Sequence, residues 1–334
     1  MSSATMPVER PRPGGPDAIV GWLRRNGWTL GLFGLLIVLL VFTKTIQPRY
    51  AASGIQNLAI AALPLGLGAV AQAIVVISGG IDLSIGSVMA LTSVISATLM
   101  KDQSEAFAVP VVIGTLILGL LIGAVNGGVV VLTKVPDIVV TLAMSFVWAG
   151  FALLILPTPG GASAKWLTQL LAGSYGNEWL PKALVATIVV VGIIWIPLRR
   201  ARLGLSIFAI GSNQLAAFRS GVAVGRTKVI AYALGGLFAA VAGVSLTAGT
   251  GIASPVPGPY TLLSVAAIVL GGVSLAGGRG GAVGPIVAVY ILTLMRTDMT
   301  FLNLNTNLAT VAQGIILIGV VMVGTLIQLR RSRA

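Results

Sequence analysis

The sequence predicts an all-α polytopic integral membrane protein, and three observations lead there. Of the 334 residues, 56% are hydrophobic and only 9% charged, with a mean hydropathy of +1.01, whereas a soluble domain carries about a quarter charged residues. Apolar runs long enough for a hydrocarbon core of about 30 Å recur along the whole length, and the short alternating strands of a membrane β-barrel do not. The basic residues are also sorted: 15 of the 21 Lys and Arg fall on one side of the topology derived below, six on the other. That asymmetry marks the richer side as cytoplasmic.

The elements follow in order. Residues 1–26 are rich in Pro, Gly and Arg and read as a disordered basic N-terminus. The first apolar run, 27–43, lacks a small-residue cleavage site and ends in Phe42-Thr-Lys44, so it reads as an uncleaved anchor. Further apolar segments lie at 55–77, 83–100, 109–133, 138–156, 183–198, 228–248, 262–276, 282–295 and 307–328. Ten crossings put both termini inside. Segments 262–276 and 282–295 are short for a span and are joined by Gly277-Gly-Arg-Gly-Gly281, so a re-entrant pair and eight crossings is the alternative. The transmembrane body is therefore 27–329, followed by a cytoplasmic tail at 330–334. Residues 157–182 form the largest outer loop, with Trp166 and Trp179 as interfacial anchors. Residues 199–227, with five arginines, form the largest inner loop.

Composition also excludes functions. With no Cys and no His, disulfides, thiol chemistry and most transition-metal sites are ruled out. Eight acidic residues, scattered along the chain, assemble no catalytic constellation. None of the six lysines follows a glycine, so there is no phosphate-binding G-x-x-x-x-G-K-[ST] loop. The net charge of +13 is explained by orientation in the membrane and needs no nucleic acid partner.

Between Arg49 and Lys101 the only charged residue is Asp82, within Gly79-Gly-Ile-Asp-Leu-Ser-Ile-Gly-Ser87. A carboxylate at mid-bilayer costs about 2.5–3.5 kcal/mol on insertion scales, so it needs a partner or water. Gly79 and Gly80 can break the helix, leaving Asp82 placed to cap a segment starting at Leu83. It is either a structural cap alone or a cap that also lines a solute path. A short echo of this stretch recurs at 276–288, around Gly277 and Gly278, and glycine-interrupted segments in two halves of a transporter point to the solute pathway. Gly-rich turns can also match by chance. The neutral polar residues Asn57, Gln72, Ser84, Asn126 and Thr141 suit an uncharged, hydroxyl-rich solute, or serve only as hydrogen-bonding glue between helices.

In the inner loop, Asn213 is placed to cap a short helix through Arg219, with Gly221 terminating it in the left-handed conformation. Such a helix is either a docking element for a soluble partner or a solvated connector.

With these residues in view, the chain closely resembles the permease subunits of bacterial ABC importers for monosaccharides, the ribose/xylose/galactoside-type group. The resemblance covers about residues 50–328. It rests on the 79–87 run, Gly123-Ala-Val-Asn-Gly127, Pro136 with Thr141-Leu142, Gly211-Ser-Asn213 with Ala216-Ala-x3-Gly221, and Ala267-Ile-Val-Leu-Gly-Gly-Val-Ser-Leu-Ala-Gly-Gly278. It implies the importer permease fold, a second permease copy (identical or a paralogue), cytoplasmic ATPases and an external sugar-binding protein. The chain itself would bind no cofactor, ATP and Mg residing on the ATPase. It also implies that Asn213, Gln214, Leu215, Ala216, Ala217, Phe218, Arg219 and Gly221 form the helix that couples to that ATPase. The chain departs from the family pattern at Leu215, where a Glu is expected, at the bulkier Phe218, and at Asp137, where an apolar residue is expected. Polyols, nucleosides and branched-chain amino acids are alternative solutes. An ATP-independent facilitator is a further alternative, against which the 211–221 helix argues.

Overall fold

The computed structural model describes the backbone of residues 16–305 and of Leu308, Val311, Gly314, Ile315, Ile318, Gly319 and Met322, with side chains from residue 27. The expectations for residues 1–15, for segment 307–328 as a whole and for the tail 330–334 lie outside the described residues. From residue 16 to residue 305 twelve α-helices follow one another: α1 (Pro16–Ile46), α2 (Ala52–Ile77), α3 (Ile85–Met100), α4 (Ala108–Thr133), α5 (Asp137–Ile155), α6 (Lys165–Leu171), α7 (Lys182–Arg200), α8 (Arg202–Ser212), α9 (Gln214–Arg219), α10 (Val224–Thr250), α11 (Tyr260–Leu270) and α12 (Val283–Phe301). No named strand occurs among the described residues.

Among the described residues six helices are long and apolar enough to cross a membrane: 27–46 of α1, α2, α4 with the turn before it, α5, α7 and α10. The ten expected crossings are only partly matched. α3 has 16 residues and α11 only 11; at 1.5 Å per residue α11 reaches about 16 Å, half a hydrocarbon core.

Four boundaries correct the sequence expectations. α1 begins at Pro16 and not at 27, so the second half of the N-terminal stretch expected to be disordered is helical; Pro is well suited to the first turn because its missing N–H would have no partner there. The helix after Asp82 starts at Ile85 rather than Leu83. α11 stops at Leu270, six residues short of its apolar run, while α12 continues to Phe301. The inner loop 199–227 is mostly helix, α8 and α9.

α2 and α10 form the core of the bundle. In α2, 89% of the span is buried, against 22% in α5 and α7, whose outer faces are left for lipid. α10 packs against α4, α2 and α3, and small residues make the close approach possible. Gly119, Gly123 and Gly127 of α4 recur every fourth residue and press on the backbone of α10 at Gly236, Tyr232 and Val229. Helices in lipid associate through such packing, since apolar side chains gain nothing by leaving one hydrocarbon for another. At the end away from α8 and α9, Gly160 and Ala253 exchange backbone hydrogen bonds of 3.0 and 2.8 Å, and Ala162 N–H donates to the Ala97 carbonyl at 2.9 Å. The long loop is thereby tied to the ends of α3 and α10.

This packing predicts a sharp contrast between neighbouring glycines. A Cβ at Gly123 would collide with the Tyr232 carbonyl, whereas one at Gly128 meets nothing within 4 Å. Gly123→Ala should destabilise the protein by about 1–3 kcal/mol through overpacking. Gly128→Ala should be neutral or stabilising by up to about 1 kcal/mol. Thermal unfolding of the two purified variants in one detergent checks this; equal midpoints would refute the close α4–α10 contact.

Candidate functional site

The non-helical turn between α2 and α3 organises the site. Gly79 takes a positive φ of 82°, a conformation only glycine adopts freely, and the chain turns to bring Asp82 inward, 2% exposed. Asp82 does not cap α3. Its Oδ1 accepts from the Ser84 backbone N–H at 2.8 Å and the Ser84 hydroxyl at 2.6 Å, closing the turn before the helix. The first-turn N–H of Gly86 is instead served by the Thr261 hydroxyl of α11 at 3.0 Å. The physical reason is length: with the helix starting at Ile85, Asp82 lies too far back to reach its first free donors.

A chain of buried bonds leads outward from Asp82. Ser84 donates to Asp82, Asn126 Nδ2 of α4 donates to Ser84 Oγ at 2.8 Å, and Trp148 Nε1 of α5 donates to Asn126 Oδ1 at 3.0 Å. Thr141 of α5 accepts from Leu83 N–H at 3.0 Å and donates to the Asp137 carbonyl at 2.8 Å. The structure therefore gathers Asp82, Ser84, Asn126 and Thr141 at one place.

The two glycine-rich stretches also meet. Gly278 N–H donates to the Ile77 carbonyl at 2.9 Å, and a Cβ on Gly277 would lie 3.1 Å from the Cα atoms of both Gly79 and Gly211. Three backbone segments thus touch at one point: the end of α2, the end of α8 and the turn after α11. Gly80 leaves room for a further pair, since a Cβ there would be 2.8 Å from both Asp137 Oδ2 and Tyr232 Oη.

That pair was missed in the sequence. Lys228 Nζ bonds Asp137 at 2.8 Å and Tyr232 Oη donates to Asp137 Oδ2 at 2.8 Å and to the Ile81 carbonyl at 3.3 Å. The departure noted at Asp137 is matched by its lysine. A signal was present: opposite charges at the starts of two apolar runs that topology puts on the same side.

The remaining candidates lie apart. Asn57 lines a cavity of about 620 Å³ between α2, α10, α11 and α12. Gln72 is fully buried with neither amide atom hydrogen-bonded.

The inner-loop helix has both its ends satisfied locally. Asn213 Oδ1 accepts from Ala216 N–H at 2.9 Å. At the other end Gly221, φ 84°, lets Val222 N–H reach the Ala217 carbonyl and its own N–H reach Phe218, each at 3.0 Å, the Schellman pattern. Ala217 points into the chain, 6% exposed, while Leu215 and Phe218 are 58% and 67% exposed. The outward apolar patch is therefore Leu215, Ala216 and Phe218, with Gln214 and Arg219 beside it, and Ala217 is not part of it.

Comparison with known proteins gives a consistent picture. Residues 54–321 match the family described as "Branched-chain amino acid transport system / permease component". Curated relatives include the autoinducer 2 import system permease protein LsrD of Escherichia coli and of Shigella flexneri. Each is 30% identical over 323 residues, covering 92% of this chain and 95% of the relative. No solved structure matches the chain.

The Asp82 geometry carries a prediction. Asp82→Asn keeps an oxygen for the Ser84 donors and should unfold near the wild-type temperature. Asp82→Leu leaves the buried Ser84 N–H and hydroxyl without an acceptor, at about 1–3 kcal/mol for each group so stranded. Thermal unfolding should therefore rank wild type and Asn together well above Leu; a Leu variant as stable as wild type would remove the turn-closing role.

Proposed function

The chain belongs to the branched-chain amino acid transport system permease component family, and on that premise we propose how it works as the membrane-spanning subunit of an ABC importer. It is a transport component rather than an enzyme. It carries a monosaccharide or similar small polyhydroxylated solute across the bacterial cytoplasmic membrane, with both termini inside. Its partners are an ATPase subunit, a substrate-binding protein outside and a second permease, identical or a paralogue. The relatives' named role in autoinducer 2 import supports a small polar solute.

The observation that carries this reading is the position of α9. Only Asn213 separates it from α8, and the last residues of α8 touch the backbone at Ile77 and Gly278. A push on the exposed Leu215–Phe218 patch is thus delivered to the two glycine turns at which α2/α3 and α11/α12 are interrupted. ATP-driven closure of the ATPases would bias those turns between two arrangements, the outward-open and inward-open states.

Phe218→Glu tests the coupling. Phe218 is exposed, so the permease should fold normally, but a carboxylate buried without a partner in the ATPase groove costs about 3–5 kcal/mol. The ATPase should no longer co-purify and uptake should stop; retention of both at wild-type level removes α9 as the coupling element. Ala217→Glu is a poorer probe, because Ala217 is packed inside the permease itself.

Gln72 tests the pathway. A buried amide with no partner is destabilising by about 1–3 kcal/mol per group, so Gln72→Met should hold or raise the unfolding temperature. If Gln72 meets the solute when the helices shift, the same variant should lose most uptake. A stable variant with undiminished uptake would take Gln72 off the path.

A further inference from the structure

Arg296 is the least explained charge in the bundle. It lies near the end of α12 and lines the cavity of about 620 Å³ with Asn57, Thr250, Tyr260 and Thr297. Among the described residues its guanidinium makes no hydrogen bond or ion pair. Its side chain is exposed rather than enclosed by the bundle, and its charge acts on the Tyr260 phenol that lines the same cavity. Asp298, two residues on, does not neutralise it: that carboxylate is buried toward α1, where Thr43 donates to it at 2.7 Å. Among the described residues no carboxylate lines the cavity.

Four hydroxyls around Arg296 have a common polarity. Ser245 donates to the Ala242 carbonyl at 2.7 Å, Thr250 to Leu246 at 2.8 Å and Ile252 at 2.6 Å, Thr297 to Thr293 at 3.0 Å, and Thr300 to Arg296 at 3.0 Å. Each of these four hydroxyl hydrogens is held by backbone carbonyls, leaving oxygen lone pairs for an occupant, while the Thr293 and Tyr260 hydroxyls on the same wall can donate or accept. The wall accepts hydrogen bonds at several points. Arg296, with five N–H groups, is its strongest donor.

We propose that this cavity is the permease's own solute seat, and that Arg296 sets its selectivity. The site takes neutral or anionic hydroxylated solutes, whose hydroxyls donate to the threonine oxygens and whose ring or acid oxygens accept from Arg296. It rejects solutes carrying an ammonium group, free amino acids and amino sugars included, because no carboxylate is there to receive them. The volume lies within the range of about 300–1,000 Å³ usual for small-molecule sites. A second cavity of about 370 Å³ shares Leu246, Thr250 and Tyr260 with it and extends the space toward the Gly160–Ala253 end. This inference rests on the permease reading and names its solute class.

The chain has no cysteine, which makes the test direct. Thr297→Cys is introduced into the full-length protein in lipid nanodiscs. Its rates of reaction are measured with an anionic methanethiosulfonate (ethylsulfonate) and a cationic one (ethyltrimethylammonium). A single charge focused in a cleft shifts local ion concentrations by roughly tenfold or more, so the anionic-to-cationic rate ratio should fall by about that factor on adding Arg296→Gln, and be kept by Arg296→Lys. An unchanged ratio in Arg296→Gln would overturn the selectivity. Failure of both reagents to reach Cys at 297, while the unfolded protein reacts, would mean that lipid or protein fills the cavity and would overturn the seat. Co-purification of the ATPase with the Arg296→Gln permease is followed in parallel, so a failure of the permease reading is distinguished from a failure at this site.

Discussion

Backbone that leaves a helix inside a bilayer has no water to bond to, and every donor and acceptor it frees must find a partner within the protein. The turn from Ser78 to Ser84 is backbone of this kind, and the bundle is arranged around satisfying it. Leu83 N–H goes to Thr141, Ser84 N–H to Asp82, and Gly86 N–H, in the first turn of α3, to Thr261. The Ile81 carbonyl is taken by Tyr232 and the Ile77 carbonyl by Gly278. Helices α5, α10 and α11 and the turn after α11 each supply one of these partners. The interruption in α2/α3 is therefore a point to which most of the bundle is bonded.

Charge is handled with the same economy. Asp82 has no basic partner among the described residues and is held by hydrogen bonds that radiate through Ser84 and Asn126 to Trp148. Asp137 is held by a lysine and a tyrosine from α10. Both carboxylates sit on the same turn, one within it and one against Gly80, so the starts of α5 and α10 are tied to the place where α2 breaks. α8 meets this network at Gly211, where the contacts to Ile77 and Gly278 are backbone on backbone with no long side chain between, so on the proposed reading a movement of α8 and α9 would reach it directly. Rigid contacts of that kind transmit a displacement rather than absorb it.

The cavity lies on the far stretch of the same helices. α2 lines it with Asn57, Ala61 and Leu65; Gln72 falls on the same face at the helical period of 3.6, about 10 Å beyond Leu65. A single buried helix thus carries the cavity wall, an unpartnered amide and the glycine turn in succession.

The sequence by itself determined the helical membrane class, the break at Gly79-Gly80 and both ends of the Asn213–Gly221 helix. Each of these depends on interactions within a few residues: hydropathy over one span, a glycine's access to positive φ, a side chain reaching an N–H three residues on. It also singled out Asp82, Ser84, Asn126 and Thr141, because polar groups in an apolar run stand out. Only the tertiary structure decided what those groups do. Thr261 takes the donor that Asp82 had seemed placed to cap, Lys228 answers Asp137 from 91 residues away, Ala217 turns inward, and Arg296 faces a cavity shared by four helices. Periodicity names the face a residue lies on, but the partner on the neighbouring helix depends on how far each helix slides and rotates against the next. Small-residue contacts such as Gly123 against Tyr232 set that register, through close packing that no single segment encodes.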